Sequence, residues 1–261
     1  MSTALAGQRC VVTGAGRGIG AALAEAFTAE GAAVVVNDLD PAAAAATAAR
    51  IGAVAVPGDA AGRDGVAALI DAARSALGGI DVYCANAGIA PGGGPEAPEA
   101  LWTAAWEVNV MAHVRAAELL LPEWLERGGG RFVATVSAAG LLTMLGSAPY
   151  SVSKHAALSF AEWLSATYRH RGIKVHALCP QGVRTRILES AGELGQALMG
   201  ATALGAEQVA ADTLRAIREE RFLILPHPEV ADYYAARATD TDHWLDAMNR
   251  LQRKFVVEEE R

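Results

Sequence analysis

Three cysteines in 261 residues are odd in number and too few for a disulfide framework. Cys10, Cys84 and Cys179 each lie in or at the end of an apolar run that reads as a strand, so the expectation is reduced core thiols and a reducing compartment. Positive charge is also short. Lys and Arg number 22 against 29 Asp and Glu, a formal net charge of −7, and the basic residues form no cluster, which excludes a nucleic-acid or anionic-membrane surface. No stretch supplies the roughly 20 uninterrupted apolar residues of a membrane span, and MSTALAGQRC lacks a signal peptide's apolar run, so a soluble, cytoplasmic protein is expected. The six histidines show no H-E-x-x-H or His/Cys spacing, and no metal site follows from them. No segment resembles a linker between two cores, and one domain over 1–261 is expected.

What is present is an alternation of short apolar strands and alanine-rich helices. RCVVT (9–13) runs into GAGRGIG and then a helix to about Glu30. Gly14, Gly18 and Gly20 let backbone amides approach a pyrophosphate, and the helix N-terminus adds about half a positive charge. The same turn would also serve as a tight strand-to-helix connection with no ligand. A second strand, AAVVVND, ends on Asp38, about 20 residues past the turn, where an acid accepts hydrogen bonds from adenosine ribose hydroxyls. Capping the next helix is the competing role, but Asp40-Pro41 does that job. AVAVP leads to Gly58-Asp59-Ala60, where Asp59 is either a turn residue or a contact for the adenine edge. A helix over about 64–77 and a fourth strand, IDVYCAN, lead to Asn86-Ala87-Gly88. Repeated alternation predicts an α/β fold: a Rossmann-type, doubly wound, seven-stranded parallel sheet with helices on both faces, its ligands at the carboxyl ends of the strands.

SAAGLLTMLGSAPYSVSK (137–154) sets Ser137 ahead of Tyr150 and Lys154 four positions beyond that tyrosine. On a helix starting near Pro149 the last two share a face. An ammonium about 4 Å from a phenol would favour the phenolate by roughly 4 kcal/mol, about three pKa units, bringing the tyrosine near 7. A phenol so tuned is a general acid/base. Ser137, at the end of FVATVS (132–137), would hold a substrate oxygen while Tyr150 exchanges its proton, which implies interconversion of an alcohol and a carbonyl. Y-x-x-x-K alone equally describes a surface pair on an amphipathic helix.

TGAGRGIG (13–20), NAG (86–88), Asn109, Ser137, Tyr150-x-x-x-Lys154 and PQGVRT (180–185) together resemble the short-chain dehydrogenase/reductase superfamily in its single-domain form, over about 8–225. The resemblance implies Tyr150 as general acid/base and Lys154 as its pKa modifier and nicotinamide-ribose partner. It implies Ser137 as polariser of the substrate oxygen, and Asn109, in WEVNVMAHV, as holder of a water in a proton relay from Lys154. A local bend in the helix at Asn109 is compatible with that role. The implied cofactor contacts are Gly14, Arg17, Gly18, Ile19 and Gly20 in the turn, Asp38 and Leu39 after the second strand, and Asp59 and Ala60 after the third. Asn86, Ala87 and Gly88, Tyr150 and Lys154, and Pro180, Val183 and Thr185 complete the set. Two departures stand out: Ala85 replaces the first asparagine of Asn-Asn-Ala-Gly, and Gln181 replaces the glycine of Pro-Gly.

Trp102 to Leu125 reads as one or two helices and Tyr150 to His170 as another, with Ala156, Phe160, Trp163 and Leu164 at helical spacing. In the family such helices pair between subunits, so a homotetramer or homodimer is expected. IKVHALCP is a sixth strand, 186–205 a substrate-binding lid by composition, 207–218 a helix and 222–225 a seventh strand. The expected substrate pocket comprises Ser137, Tyr150, Ala138, Ala139, Met144, Ile187, Leu188 and Leu194, mostly apolar. In the C-terminal extension 228–255, Trp244, Leu245, Met248, Leu251 and Phe255 form a stripe after a cap at Thr241 or Asp242, expected to pack on a neighbouring subunit of a homotetramer near its pocket, with packing on the chain's own core as the competing role. Asp38 would repel the 2′-phosphate of NADP and Arg17 attract it, so NAD is expected ahead of NADP. The reading is NAD-dependent oxidation of a small apolar secondary alcohol. Its rivals are an NADPH-dependent 3-ketoacyl thioester reductase and a dinucleotide-sensing regulator without turnover.

Overall fold

The computed structural model describes residues 5–189 and 199–259, with side chains to 254. A seven-stranded, wholly parallel sheet has the order β3-β2-β1-β4-β5-β6-β7. Its strands are β1 Arg9–Val12, β2 Ala33–Val36, β3 Val54–Ala55, β4 Val82–Ala85, β5 Gly130–Thr135, β6 Ile173–Leu178 and β7 Leu223–Ile224. The order reverses at β1, which pairs with both β2 and β4, so the connections leaving β1 and β4 turn to opposite faces of the sheet and leave a crevice beyond the strands' carboxyl ends.

The strands are mostly apolar because both faces are covered, with Arg9, Arg131, Lys174 and His176 among the charged or polar exceptions. Val11, Tyr83, Phe132 and Val175 point into one core, while Cys10, Val12, Cys84, Val133 and Leu178 point into the other. The first core is closed by helices α3 (Arg63–Leu77), α5 (Ala112–Glu126) and α6 (Ala148–Tyr168), through Ile70, Leu120, Trp124, Leu158 and Leu164. The second is closed by α1 (Gly18–Ala29), α2 (Pro41–Ile51) and α8 (Ala206–Arg218), through Leu23, Phe27, Ala44, Val209, Leu214 and Ile217. Trp124 is fully buried and donates from Nε1 to the Ile80 carbonyl at 2.8 Å. All three cysteines are free and buried, as expected. No helix of the described residues is long and apolar enough to cross a membrane.

The expected helix over 102–125 is α4 (Glu99–Trp106), a π turn (Glu107–Met111) and α5 in unbroken succession. In α6 the core-facing residues are Ala157, Leu158, Ala161 and Leu164, whereas Trp163 is 54% exposed and stacks on Phe160. The short helix α7 spans Arg186–Glu189, and the segment that precedes α8 pairs back on the loop after β6: Leu204 N–H donates to the Gly182 carbonyl and Arg184 N–H to the Leu204 carbonyl, both within 3.0 Å. Leu194 lies outside the described residues.

The C-terminal extension forms α9 (Glu229–Thr239) and α10 (Thr241–Glu259). The α10 cap is Asp240 rather than Thr241 or Asp242: its Oδ1 accepts the His243 N–H at 3.0 Å, one residue earlier than the apolar stripe suggested. Val230 is fully buried and Trp244 packs on the chain's own first core, while Tyr233, Tyr234 and Leu245 stay exposed. Arg237 donates from Nη1 to the Leu141 carbonyl and lies 3.1 Å from His155 Nε2. At least part of the extension is therefore a brace on its own subunit.

Candidate active site

The glycine turn is shaped by what passes close to it. Gly14 has φ +62 and a Cβ there would lie 2.9 Å from Ala87 Cα; a Cβ on Gly20 would lie 2.3 Å from the Gly14 carbonyl oxygen. Gly16, which the spacing of the other glycines did not single out, is equally constrained. A Cβ on it would sit 2.7 Å from Asp38 Oδ2, and its N–H donates to that oxygen at 2.9 Å. No side chain caps α1. Its first N–H groups face the crevice, and with the bare glycine backbone they make a cradle suited to a pyrophosphate. Asp40 caps α2 through the Ala42 and Ala43 N–H groups, which leaves Asp38 at the mouth of the crevice.

Asp59 behaves as the turn residue: Oδ1 accepts from Ala61 N–H and Oδ2 from Gly62 N–H, each at 2.9 Å, in front of α3. Asn86 is committed to the scaffold as well. Its Nδ2 donates to the Thr13 and Gly14 carbonyls and its Oδ1 accepts from Thr135 Oγ1. Thr13 Oγ1 accepts the Asn86 and Ala87 N–H groups at 2.9 and 3.0 Å, so the threonine of the T-G turn locks the loop after β4 beside the loop after β1. Ala87 and Gly88 line the crevice through backbone.

Ser137, Tyr150 and Lys154 meet at the carboxyl end of β5. Ser137 Oγ accepts the Ala139 N–H at 3.1 Å, and a hydrogen bond joins it to Tyr150. Lys154 is 3% exposed. Its Nζ donates to the Thr135 carbonyl at 2.9 Å and sits 5.7 Å from the centre of the Tyr150 ring. The ammonium therefore stands over the phenol ring. Burial raises the Tyr150 phenol from its ordinary value of 10, opposed by the Ser137 hydrogen bond, and lowers Lys154 to about 8. A tyrosine tuned to near 7 by its lysine alone is not what this arrangement gives. Desolvation outweighs the Ser137 hydrogen bond.

Asn109 is fully buried in the π turn. Nδ2 donates to the Ile89 carbonyl and to Ser153 Oγ, and Oδ1 accepts the Ile89 N–H, all within 3.0 Å. Ser153 Oγ in turn donates to the Tyr150 carbonyl at 2.9 Å. Asn109 is therefore tied to the first turn of α6, and a water would meet its remaining Oδ1 lone pair or its backbone carbonyl. Ser153 escaped the sequence reading because Y-x-x-x-K says nothing of the residues between.

These groups open on one cleft of about 940 Å³, whose lining includes the glycine turn, Asp38, Leu39, Asp59, Ala60, Ser137, Met144, Tyr150, Lys154, Pro180, Val183 and Thr185. Ile187, Leu188 and Met199 line it as well. Ala138 and Ala139 do not line it: they lie buried in a 3₁₀ turn, with Ala138 in the main core. Gln181 does line it, and its N–H donates to Nδ1 of the buried His227 at 3.2 Å. Gly182 is required where the chain at Met199 passes over it, since a Cβ would meet the Met199 carbonyl oxygen at 2.5 Å. The loop carrying Met144 is tied on the far side, where Ser151 Oγ accepts the Met144 N–H and Ser147 Oγ donates to the Pro91 carbonyl.

Comparison with known proteins agrees with this geometry. The family model described as short chain dehydrogenase matches residues 8–194. The chain is 37% identical over 228 residues to 1-deoxy-11-beta-hydroxypentalenate dehydrogenase of Streptomyces exfoliatus, covering 84% of this chain and 82% of that enzyme. A short chain dehydrogenase/reductase from Burkholderia phymatum in complex with NAD superposes with a TM-score of 0.82 at 32% identity, covering 91% of this chain and 95% of that one. A 7α-hydroxysteroid dehydrogenase complexed with NADH and 7-oxo glycochenodeoxycholic acid superposes at 0.79 with 26% identity, over 86% and 94% of the two chains.

Proposed function

This chain belongs to the short-chain dehydrogenase/reductase family, and from that premise we propose that it interconverts an apolar secondary alcohol and its ketone with NAD as cofactor, in the cytoplasm. The observation that carries the reading is the gathering of Ser137, Tyr150 and Lys154 on one cleft with the glycine turn and Asp38, with Asn109 tied in behind through Ser153. The cradle of Gly14, Gly16 and Gly18 and the uncapped start of α1 fit a dinucleotide pyrophosphate, and Asp38 fits the adenosine ribose. When bound, a nicotinamide supplies the acceptor or donor of hydride.

The chain's own residues do the rest. Ser137 Oγ and the Tyr150 hydroxyl hold the substrate oxygen between them, and Tyr150 passes its proton to that oxygen in reduction or takes it in oxidation. Lys154, whose ammonium stands over the phenol ring, would hold the nicotinamide ribose. Asn109 fixes the first turn of α6, which carries the tyrosine, and holds a water for the relay. Met144, Ile187 and Leu188 make the substrate end apolar and limit the entry of water.

Arg17 is the residue that would favour the NADPH-dependent ketoacyl reductase, but it is engaged by Asp40 at 2.5 Å. Exposed Leu101 and Trp106 on α4 and Val152 and Trp163 on α6 favour a homodimer or homotetramer, which light scattering tests. The decisive experiment follows nicotinamide fluorescence with cyclic and aryl-alkyl secondary alcohols, acetoacetyl thioesters and both cofactors. Turnover of the alcohols with a higher kcat/KM for NAD is expected. Turnover of thioesters alone with NADPH would move the assignment to the ketoacyl reductase.

A further inference from the structure

Arg17 and Asp38 pull in opposite directions at the adenosine end of the cleft, and the residue that settles the contest stands between them. Asp40 uses both carboxylate oxygens: Oδ1 accepts the Ala42 and Ala43 N–H groups at 3.1 Å each, and Oδ2 lies 2.5 Å from Arg17 Nη2. Its own N–H donates to Asp38 Oδ1 at 3.0 Å, while Asp38 Oδ2 accepts from Gly16 N–H. The three charged residues thus form one set with a net charge of −1, held to the start of α2 by backbone hydrogen bonds. Among the described residues Arg17 has no other ion-pair partner. An exposed ion pair is ordinarily weak because two long side chains must be ordered to make it. Here the acid is already fixed by its capping bonds, so only the arginine loses freedom.

From this geometry we infer that Asp40 is a second determinant of dinucleotide choice, acting through Arg17: it draws the guanidinium toward the start of α2 and balances its charge, so that a 2′-phosphate meets the Asp38 carboxylate without a free cation. The inference rests on the NAD reading of the same cleft. Asp40 would be a positioning residue that need not touch the cofactor. The acid that caps a helix thereby disarms the arginine one turn away in space.

The test is direct binding, without substrate, of NAD and NADP to the full-length protein by calorimetry. Asp40→Asn and Asp40→Ser remove the charge but keep good N-cap residues, so α2 and the melting temperature should be preserved. NADP binding is expected to tighten about three- to tenfold in both variants, with NAD binding within about twofold of wild type. Adding Arg17→Ala to Asp40→Asn should abolish the gain. Unchanged NADP affinity in both single variants, or an equal gain in the Arg17→Ala background, would overturn the inference. Tighter binding of NADP than NAD by the wild type would instead sink the NAD reading, and the Arg17-dependence of the variants' gain would still decide the role of Asp40.

Discussion

At Tyr150 two physical effects compete, and burial, which raises the phenol, prevails over the Ser137 hydrogen bond that lowers it. The phenol is therefore neutral at pH 7, ready to donate to a ketone and unready to accept from an alcohol. Alcohol oxidation should speed up as pH rises from 7 toward 10, as the phenolate fraction grows about tenfold per unit, with Lys154 losing its charge near 8 and weakening its hold on the ribose at the upper end. A pH profile of kcat/KM in both directions checks this, and a flat oxidation limb would show that proton transfer is not under Tyr150's control. Tyr150→Phe should reduce kcat by about 10² to 10⁴ with cofactor binding nearly intact. Retention of more than about a tenth of the rate would remove the tyrosine from the mechanism.

The brace formed by α9 and α10 ties the C-terminus to the site, because Arg237 holds the Leu141 carbonyl and stands by His155, the residue after Lys154. Truncation before Pro228 uncovers Leu141 and removes the burial of Val230 and much of Trp244, each contributing roughly 1.5 to 3 kcal/mol. A markedly lower Tm and a raised KM are expected from thermal melts and kinetics, and an unchanged Tm would show the brace to be idle. The strands, most helices and their wholly parallel pairing were legible in the sequence, because strands buried on both faces read as short apolar runs and the helices between them keep apolar residues at helical spacing. What escaped is made by contacts distant in sequence. Gly16 is needed because Asp38 from the end of β2 and Ala43 from α2 both arrive against it, Gly182 because Met199 returns over it, and Asn86 is spent on the scaffold because Thr13 and Thr135 flank it. The π turn at Asn109 and the swing of Lys154 to Thr135 likewise depend on neighbours that no local pattern names.

The molecule as a whole should be sensitive to mild acid. Burial lowers His113 to about 3, with Lys154 adding to the effect. Burial lowers His176 to about 4, opposed by its bond to the Arg221 carbonyl and reinforced by Arg131, with Glu220 and Lys174 nearby acting in opposite senses. Both folded values lie below the ordinary 6.5, so the unfolded chain takes up protons first. Stability is then full above about pH 6.5 and falls as pH drops toward 4, by about 1.4 kcal/mol per unit for each histidine. Urea midpoints at pH 7, 6 and 5 should show that slope, and His176→Gln should halve it; equal midpoints across the range would contradict it. The parallel sheet has one more consequence. Because every strand points the same way, the groups that bind and react crowd one rim, and the opposite rim is left to the Arg9–Asp81–Arg127 ion pairs. That second rim is the place to tether the enzyme to a support: an anchor there loads the foundation and leaves the entrance clear.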